Sequence, residues 1–300
     1  MPEFQSVTLK DPSSSLTATF VPAAGMIGTS LSDDGVEFLG QRRGLEAYVT
    51  LGKTMGIPIL YPWANRLSAN NYGVDGAVVT LTPDTGGVHT DDHGAPMHGL
   101  LTAYPGWVVT AQSGNELTAE VDFGATPSLL AYFPFPHLLT QTVTLADRTL
   151  RIETTVTPTT AASVPMCFGH HPYFTIPGVP RPDWTLTTPA MRHLPVDEFG
   201  IPVGTSEEWP SSSKPLGDTT YDDGFDMVPE GSVFAIEGGG RRVEVTYEKD
   251  YPCAQLFAPP NGDLIAIEPM TAPTDALRRG NFRVAVAGNP EAARFSIKVT

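Results

Sequence analysis

Seven histidines occur among the 300 residues, and four of them fall in two glycine-bearing segments, His93-Gly94-Ala95-Pro96-Met97-His98-Gly99 and Gly169-His170-His171-Pro172-Tyr173-Phe174. Both segments read as strand ends, where a rigid sheet presents side chains to a site. Imidazole changes charge near neutral pH, so clustered histidines suit proton transfer. Any single histidine, by contrast, more often caps a loop or bonds backbone. His171 precedes Pro172 and Glu268 precedes Pro269, and each proline ring drives the residue before it into extended backbone. Glu268 also ends the apolar run Leu264-Ile265-Ala266-Ile267. A carboxylate held at the edge of a core loses water and rises in pKa, which makes it a candidate general base. The plainer reading of Glu268 is an ion pair at a strand end with Arg278 or Arg279.

A competing chemistry is metal ligation, because His89, Asp91, Asp92 and His93 put nitrogen and oxygen donors in one short stretch. Gly86-Gly87 before it and Gly94 and Pro96 after it oppose the helix that would align His89 with His93. A polar loop is the stronger reading, with no metal and no cofactor expected. Gly238-Gly239-Gly240 lacks the Lys-Ser/Thr of a phosphate loop and reads as a hairpin turn, and no Gly-x-Ser-x-Gly elbow is present.

The elements that must position these groups are strands. Leu117, Ala119, Val121 and Phe123 alternate with polar residues, and the same period of two recurs at Leu150–Val156, Val243–Tyr247, Phe282–Val286 and Phe295–Val299. Turn clusters separate the strands: Asp33-Asp34-Gly35, Val74-Asp75-Gly76, Gly238-Gly239-Gly240 and Pro260-Asn261-Gly262-Asp263. With 29 Gly and 29 Pro, only short helices fit, near Pro127–Tyr132 and Thr274–Arg279. The pattern predicts an all-β fold, a large antiparallel β-sandwich, built as one domain over 1–300. Pro202–Asp218 reads as a packed surface loop of that domain, and Cys167 and Cys253 as core residues.

Eighteen basic residues against 33 acidic ones give a formal charge of −15, which repels polyphosphates and anionic membranes. No nucleic acid and no membrane partner is expected. The start of the chain, Met1-Pro2-Glu3-Phe4, shows no basic and apolar leader, so a cytoplasmic location is expected, with the oligomeric state open.

Several separated motifs resemble those of the aldose 1-epimerase, or galactose mutarotase-like, family, and they follow the family's order. They are Pro62-Trp63-Ala64-Asn65-Arg66-Leu67, Val74-Asp75-Gly76, Met97-His98-Gly99, His171-Pro172-Tyr173-Phe174, Tyr221-Asp222-Asp223-Gly224-Phe225, Gln255-Leu256-Phe257 and Ile267-Glu268-Pro269. The resemblance implies a sugar substrate and an enzyme that interconverts the α and β anomers of a hexose. By the same resemblance Glu268 is the base and His171 the acid, with His98 giving a further hydrogen bond to the ring oxygen. Asn65, Arg66, Asp222 and Gln255 would hold the hydroxyls, and Trp63, Tyr173 and Phe257 offer an apolar floor. Thr175 and Leu100 depart from the pattern of the galactose enzymes and leave the preferred sugar open. A hexose-6-phosphate epimerase using Arg42, Arg43 and Arg66 is one alternative. A carbohydrate sensor without turnover is a second, and a metal-dependent sugar isomerase using His89 and His93 a third.

Overall fold

A computed structural model describes residues 4–74 and 76–300; Asp75 of the Val74-Asp75-Gly76 turn and Met1, Pro2 and Glu3 lie outside them. The chain forms strands from Val7–Lys10 near its start to Glu291–Val299 near its end, and the predicted all-β class holds. Two large sheets dominate, one of nine strands and one of eight, seven of them along its main path, and every strand pair within them is antiparallel. The nine-stranded sheet contains four of the five alternating segments read from sequence, all but Phe282–Val286. Leu117, Ala119 and Val121 are buried on Glu116–Asp122, Leu150, Ile152 and Val156 on Thr149–Pro158, and Phe295, Ile297 and Val299 on Glu291–Val299. The eight-stranded sheet lies against it, as the 5.0 Å approach of the His170 and Phe295 rings shows.

Three expectations need correction. On Arg283–Ala285 the inward residue is Ala285, whereas Val284 and Val286 are each 40% exposed. This short strand pairs only with Val164–Met166, so a small side chain fills the inner position there. Pro202–Asp218 is not purely loop: Glu207–Trp209 pairs with Met191–Leu194, and Ser212–Pro215 pairs with Thr185–Thr188. Strands this short and largely exposed carry too few apolar residues for a visible period. A helix over Gly44–Leu51, absent from the sequence reading, ends at Gly52 in the left-handed conformation that closes helices. The expected short helices form at Pro127–Leu130 and Ala276–Arg279. Among the described residues no helix is long and apolar enough to cross a membrane.

The core also sets the response to acid. His137 is buried between the Tyr61 hydroxyl, 2.6 Å from Nε2, and the Phe135 carbonyl, 2.5 Å from Nδ1. Burial holds the pKa of His137 down at about 4 and that of His170 at about 3, against 6.5 for the free side chain. Between those values the unfolded chain binds more protons than the folded one, so stability is complete above pH ~6.5 and is lost as pH falls. His137 alone accounts for on the order of 3 kcal/mol between pH 7 and 4. Calorimetric melts at pH 7, 5.5 and 4 should therefore show a falling midpoint; a flat profile would contradict this account.

Candidate active site

The two adjacent histidines have opposite surroundings because strand side chains alternate between faces. His170 ends the strand Gly169–His170 and faces the other sheet, where its Nδ1 lies 3.3 Å from the Tyr251 hydroxyl. His171, one residue later, faces a cavity of about 100 Å³ lined also by Glu268, His98, Arg66 and Asp222. Register assembles most of that face. Asp222 pairs with Phe257, Phe257 with Ala266, and Ala266 with Tyr173, which forms one row across four strands. Gly224, Gln255 and Glu268 form the next row on the same side. A Cβ on Gly224 would stand 3.1 Å from the Gln255 Oε1, so the bare backbone gives that amide its place.

Two loops close the other side. Asn65 and His98 both take left-handed backbone, with φ of 51° and 64°, and the His98 N–H donates to the Asn65 carbonyl at 2.9 Å. Conformations of this kind cost of order 1–3 kcal/mol for residues other than glycine and concentrate at functional sites. Gly99 is required beside His98, because a Cβ there would lie 2.1 Å from the Tyr61 carbonyl oxygen.

At the centre, His171 Nε2 lies 3.2 Å from Glu268 Oε1 and 3.1 Å from the Tyr173 hydroxyl. Glu268 is only 1% exposed and His171 6%. Burial drives the Glu268 carboxyl well above its usual range, with the Asp222 charge adding to the rise and Arg66 opposing it. Burial drives His171 well below its usual range, helped by His98 and Arg42. The pair therefore favours one shared proton over two. Glu268 Oε2, His171 Nδ1 and His98 Nδ1 are buried without a hydrogen-bond partner in the protein. Three orphaned polar atoms around one cavity mark it as a place built to bind a polar molecule. Burial also keeps His98 neutral, with its pKa down at about 3, so it serves as a hydrogen-bonding group and not as a cation at neutral pH.

The remaining predicted residues sit at the rim. Asn65 Nδ2 donates to Gln255 Oε1 at 3.2 Å and to Thr274 Oγ1 at 3.0 Å, and Gln255 Nε2 donates to Asp222 Oδ1 at 2.8 Å. Arg66 Nε donates to Asp91 Oδ2 at 2.9 Å, which fixes the guanidinium where the cavity meets two wider recesses of about 340 and 420 Å³. Gln255 lines the first of these recesses and reaches the central cavity only through its bonds to Asn65 and Asp222. Tyr173 and Phe257 line the cavity as expected. Trp63 does not: it is 1% exposed within the hydrophobic core. The proposed partners of Glu268 are occupied elsewhere, Arg279 with Asp275 at 2.9 Å and Arg278 with the Asn71 carbonyl at 2.7 Å.

Asp91 accepts from the His93 and Ala95 amides as well as from Arg66, and the His93 ring packs edge-on to Phe199 at 5.4 Å. Among the described residues no three His, Cys, Asp or Glu side chains converge as a metal would need. Arg42 and Thr54 are the groups that sequence reasoning misplaced or missed. The sequence offers Arg42 as a phosphate contact, yet its Nη1 donates to the Tyr173 hydroxyl at 2.7 Å, and Thr54 Oγ1 lies 2.7 Å from that same oxygen. Nothing in the spacing of residues 42, 54 and 173 announces their convergence; the unpredicted Gly44–Leu51 helix brings the first two together.

An antiparallel sandwich carrying a buried carboxylate and imidazole on one sheet face is of the galactose mutarotase-like kind. Residues 5–290 match the family model of aldose 1-epimerase, and the chain belongs to that family. Solved structures share the fold at low identity. The Slr1438 protein of Synechocystis sp. PCC 6803 is 22% identical, with 99% of this chain and 96% of that one covered and a TM-score of 0.82. A galactose mutarotase-like protein from Clostridium acetobutylicum is 16% identical, with 99% and 96% covered and a TM-score of 0.83. The galactose 1-epimerase of Lactobacillus acidophilus NCFM is 15% identical, with 99% of both chains covered and a TM-score of 0.77.

Proposed function

We propose that this member interconverts the α and β anomers of a free aldohexose, with Glu268 as the base and His171 as the acid. The observation that carries this reading is the 3.2 Å approach of His171 Nε2 to Glu268 Oε1 inside a cavity rimmed by hydroxyl-binding side chains. Ring opening takes a proton from the C1 hydroxyl and gives one to the ring oxygen; rotation about C1–C2 and the reverse transfers then close the opposite anomer. The pair's one proton, which burial favours on Glu268, first passes to His171; Glu268 then takes the C1 proton as a carboxylate and His171 gives its own to the ring oxygen as an imidazolium. Closure returns both protons, so the pair is regenerated without an outside donor. His98 steadies the ring oxygen as charge develops there. Asn65, Arg66 and Asp222 hold the hydroxyls, with Gln255 fixing Asn65 and Asp222 from the adjoining recess, while Tyr173 and Phe257 support the C–H face. We place this activity in the cytoplasm, on one folding unit spanning 1–300.

A free sugar suits the cleft better than a phosphorylated one. The recess of about 420 Å³ carries Arg42, Lys53 and Arg66, but Asp84, Asp91 and Asp92 share its walls and offset them. A dianionic phosphate there would meet as many carboxylates as cations. Polarimetry on matched panels of free and 6-phosphorylated aldoses tests this. At least tenfold higher kcat/KM for a free hexose is expected. Preference for the 6-phosphates would reverse the substrate assignment, and binding without anomerisation would make the protein a sensor.

A further inference from the structure

Resting on that assignment of His171, we propose that Tyr173 and Thr54 form a hydroxyl relay that holds the His171 ring in place in both of its protonation states.

The Tyr173 oxygen meets three groups at once: Arg42 Nη1 at 2.7 Å, Thr54 Oγ1 at 2.7 Å and His171 Nε2 at 3.1 Å. Arg42 can only donate, so one lone pair of the phenol oxygen is always taken. When Nε2 lacks a proton, the phenol donates to it and accepts from Thr54. When Nε2 carries a proton, the phenol turns its own hydrogen to Thr54 Oγ1 and accepts from Nε2 as well as from Arg42. Each state satisfies the phenol's donor and both its lone pairs, and only hydroxyl hydrogens move. The rings of His171 and Tyr173 stack at 4.3 Å and 21°, so neither tilts to follow the proton.

The other charged or titratable groups facing His171 are Glu268, His98 and Arg42. None of them substitutes for the phenol. Glu268 is needed for the substrate proton, and the His98 ring lies edge-on at 5.6 Å. Arg42 reaches His171 only through Tyr173, whose ring it also covers at 5.0 Å. Burial pushes the Tyr173 phenol up to about 12, so the hydroxyl keeps its hydrogen throughout the working range. A buried Thr54 hydroxyl is the one group that can both give and take a hydrogen bond as the phenol turns.

The test compares Tyr173→Phe, Thr54→Val and Thr54→Ser with Glu268→Gln and His171→Asn, reading kcat, KM and the pH dependence of kcat by polarimetry. Tyr173→Phe keeps the stack and should lose roughly 10–100-fold in kcat with KM within about threefold of the parent. Thr54→Val removes the acceptor needed only when His171 is protonated. It should lower kcat about tenfold and shift the acidic limb of the profile to lower pH. Thr54→Ser, which restores the hydroxyl, should recover most of that loss. Parental kcat and pH profile in the Phe or Val variant, while Glu268→Gln and His171→Asn are inactive, would overturn the relay and leave the acid–base pair standing. Raised KM with unchanged kcat would also overturn it, by making Thr54 a sugar contact. Activity in Glu268→Gln and His171→Asn as well would remove the reading on which the relay rests.

Discussion

Glu268→Gln is expected to lower kcat for anomerisation by roughly 10³–10⁴-fold, while the affinity for sugar, read by calorimetric titration, stays within a fewfold of the parent. The amide preserves the shape of the carboxyl and can still bond to a hydroxyl, but it takes no proton from the C1 oxygen. Losing a positioned base raises the barrier by about 4–5.5 kcal/mol. The change should leave the fold intact. It replaces a buried group that favours its uncharged form with an uncharged amide of the same shape, so no buried charge is created or left unpaired. A Gln variant that anomerises sugars at the parental rate by polarimetry would exclude Glu268 as the base. A variant that binds no sugar would instead give Glu268 a role in holding the substrate.

His171→Asn is expected to cost roughly 10²–10⁴-fold in kcat. Asn donates a hydrogen bond toward the ring oxygen but delivers no proton, so the developing alkoxide must wait for water. The loss should be largest with slowly opening sugars, for which protonation of the ring oxygen weighs most. His98 and His170 differ in their fitness to replace it. His170 lies behind the sheet against Phe295, and the neutral His98 lies across the cavity with its ring 5.6 Å from that of His171. Residual turnover in the Asn variant should therefore disappear in the His98→Asn, His171→Asn double variant. Parental turnover in the single variant would transfer the acid role to His98.

The two groups most exposed to misreading from sequence were the adjacent histidines. Their types and glycine-rich setting mark both as candidates, and only strand alternation, once the strand is placed, sends His170 into the core and His171 to the cleft. Trp63 shows the same limit from the other side: an aromatic beside Asn65 and Arg66 in the chain is buried in the core while they face the cavity. Glu268 was more legible. The apolar run before it and the proline after it point to an extended carboxylate at the edge of the core, though not to what lies opposite, and the structure places it buried in the strand Ile265–Met270.

Period-two alternation, turn clusters and the scarcity of long helical stretches determine the antiparallel architecture, because they act over distances of a few residues along the chain. The same local chemistry marks Glu268 and His171 as groups able to exchange protons. That the carboxylate meets the imidazole, that Arg42 and Thr54 meet on one phenol, and that Gln255 bridges Asn65 and Asp222 depends on register between strands and on loop closure. Those contacts span from 33 positions of chain for Asp222 with Gln255 to 190 for Asn65 with Gln255, and no local preference encodes them. They arise only when the sheets pack and exclude water, and the same exclusion moves the Glu268 and His171 protonation equilibria in opposite directions.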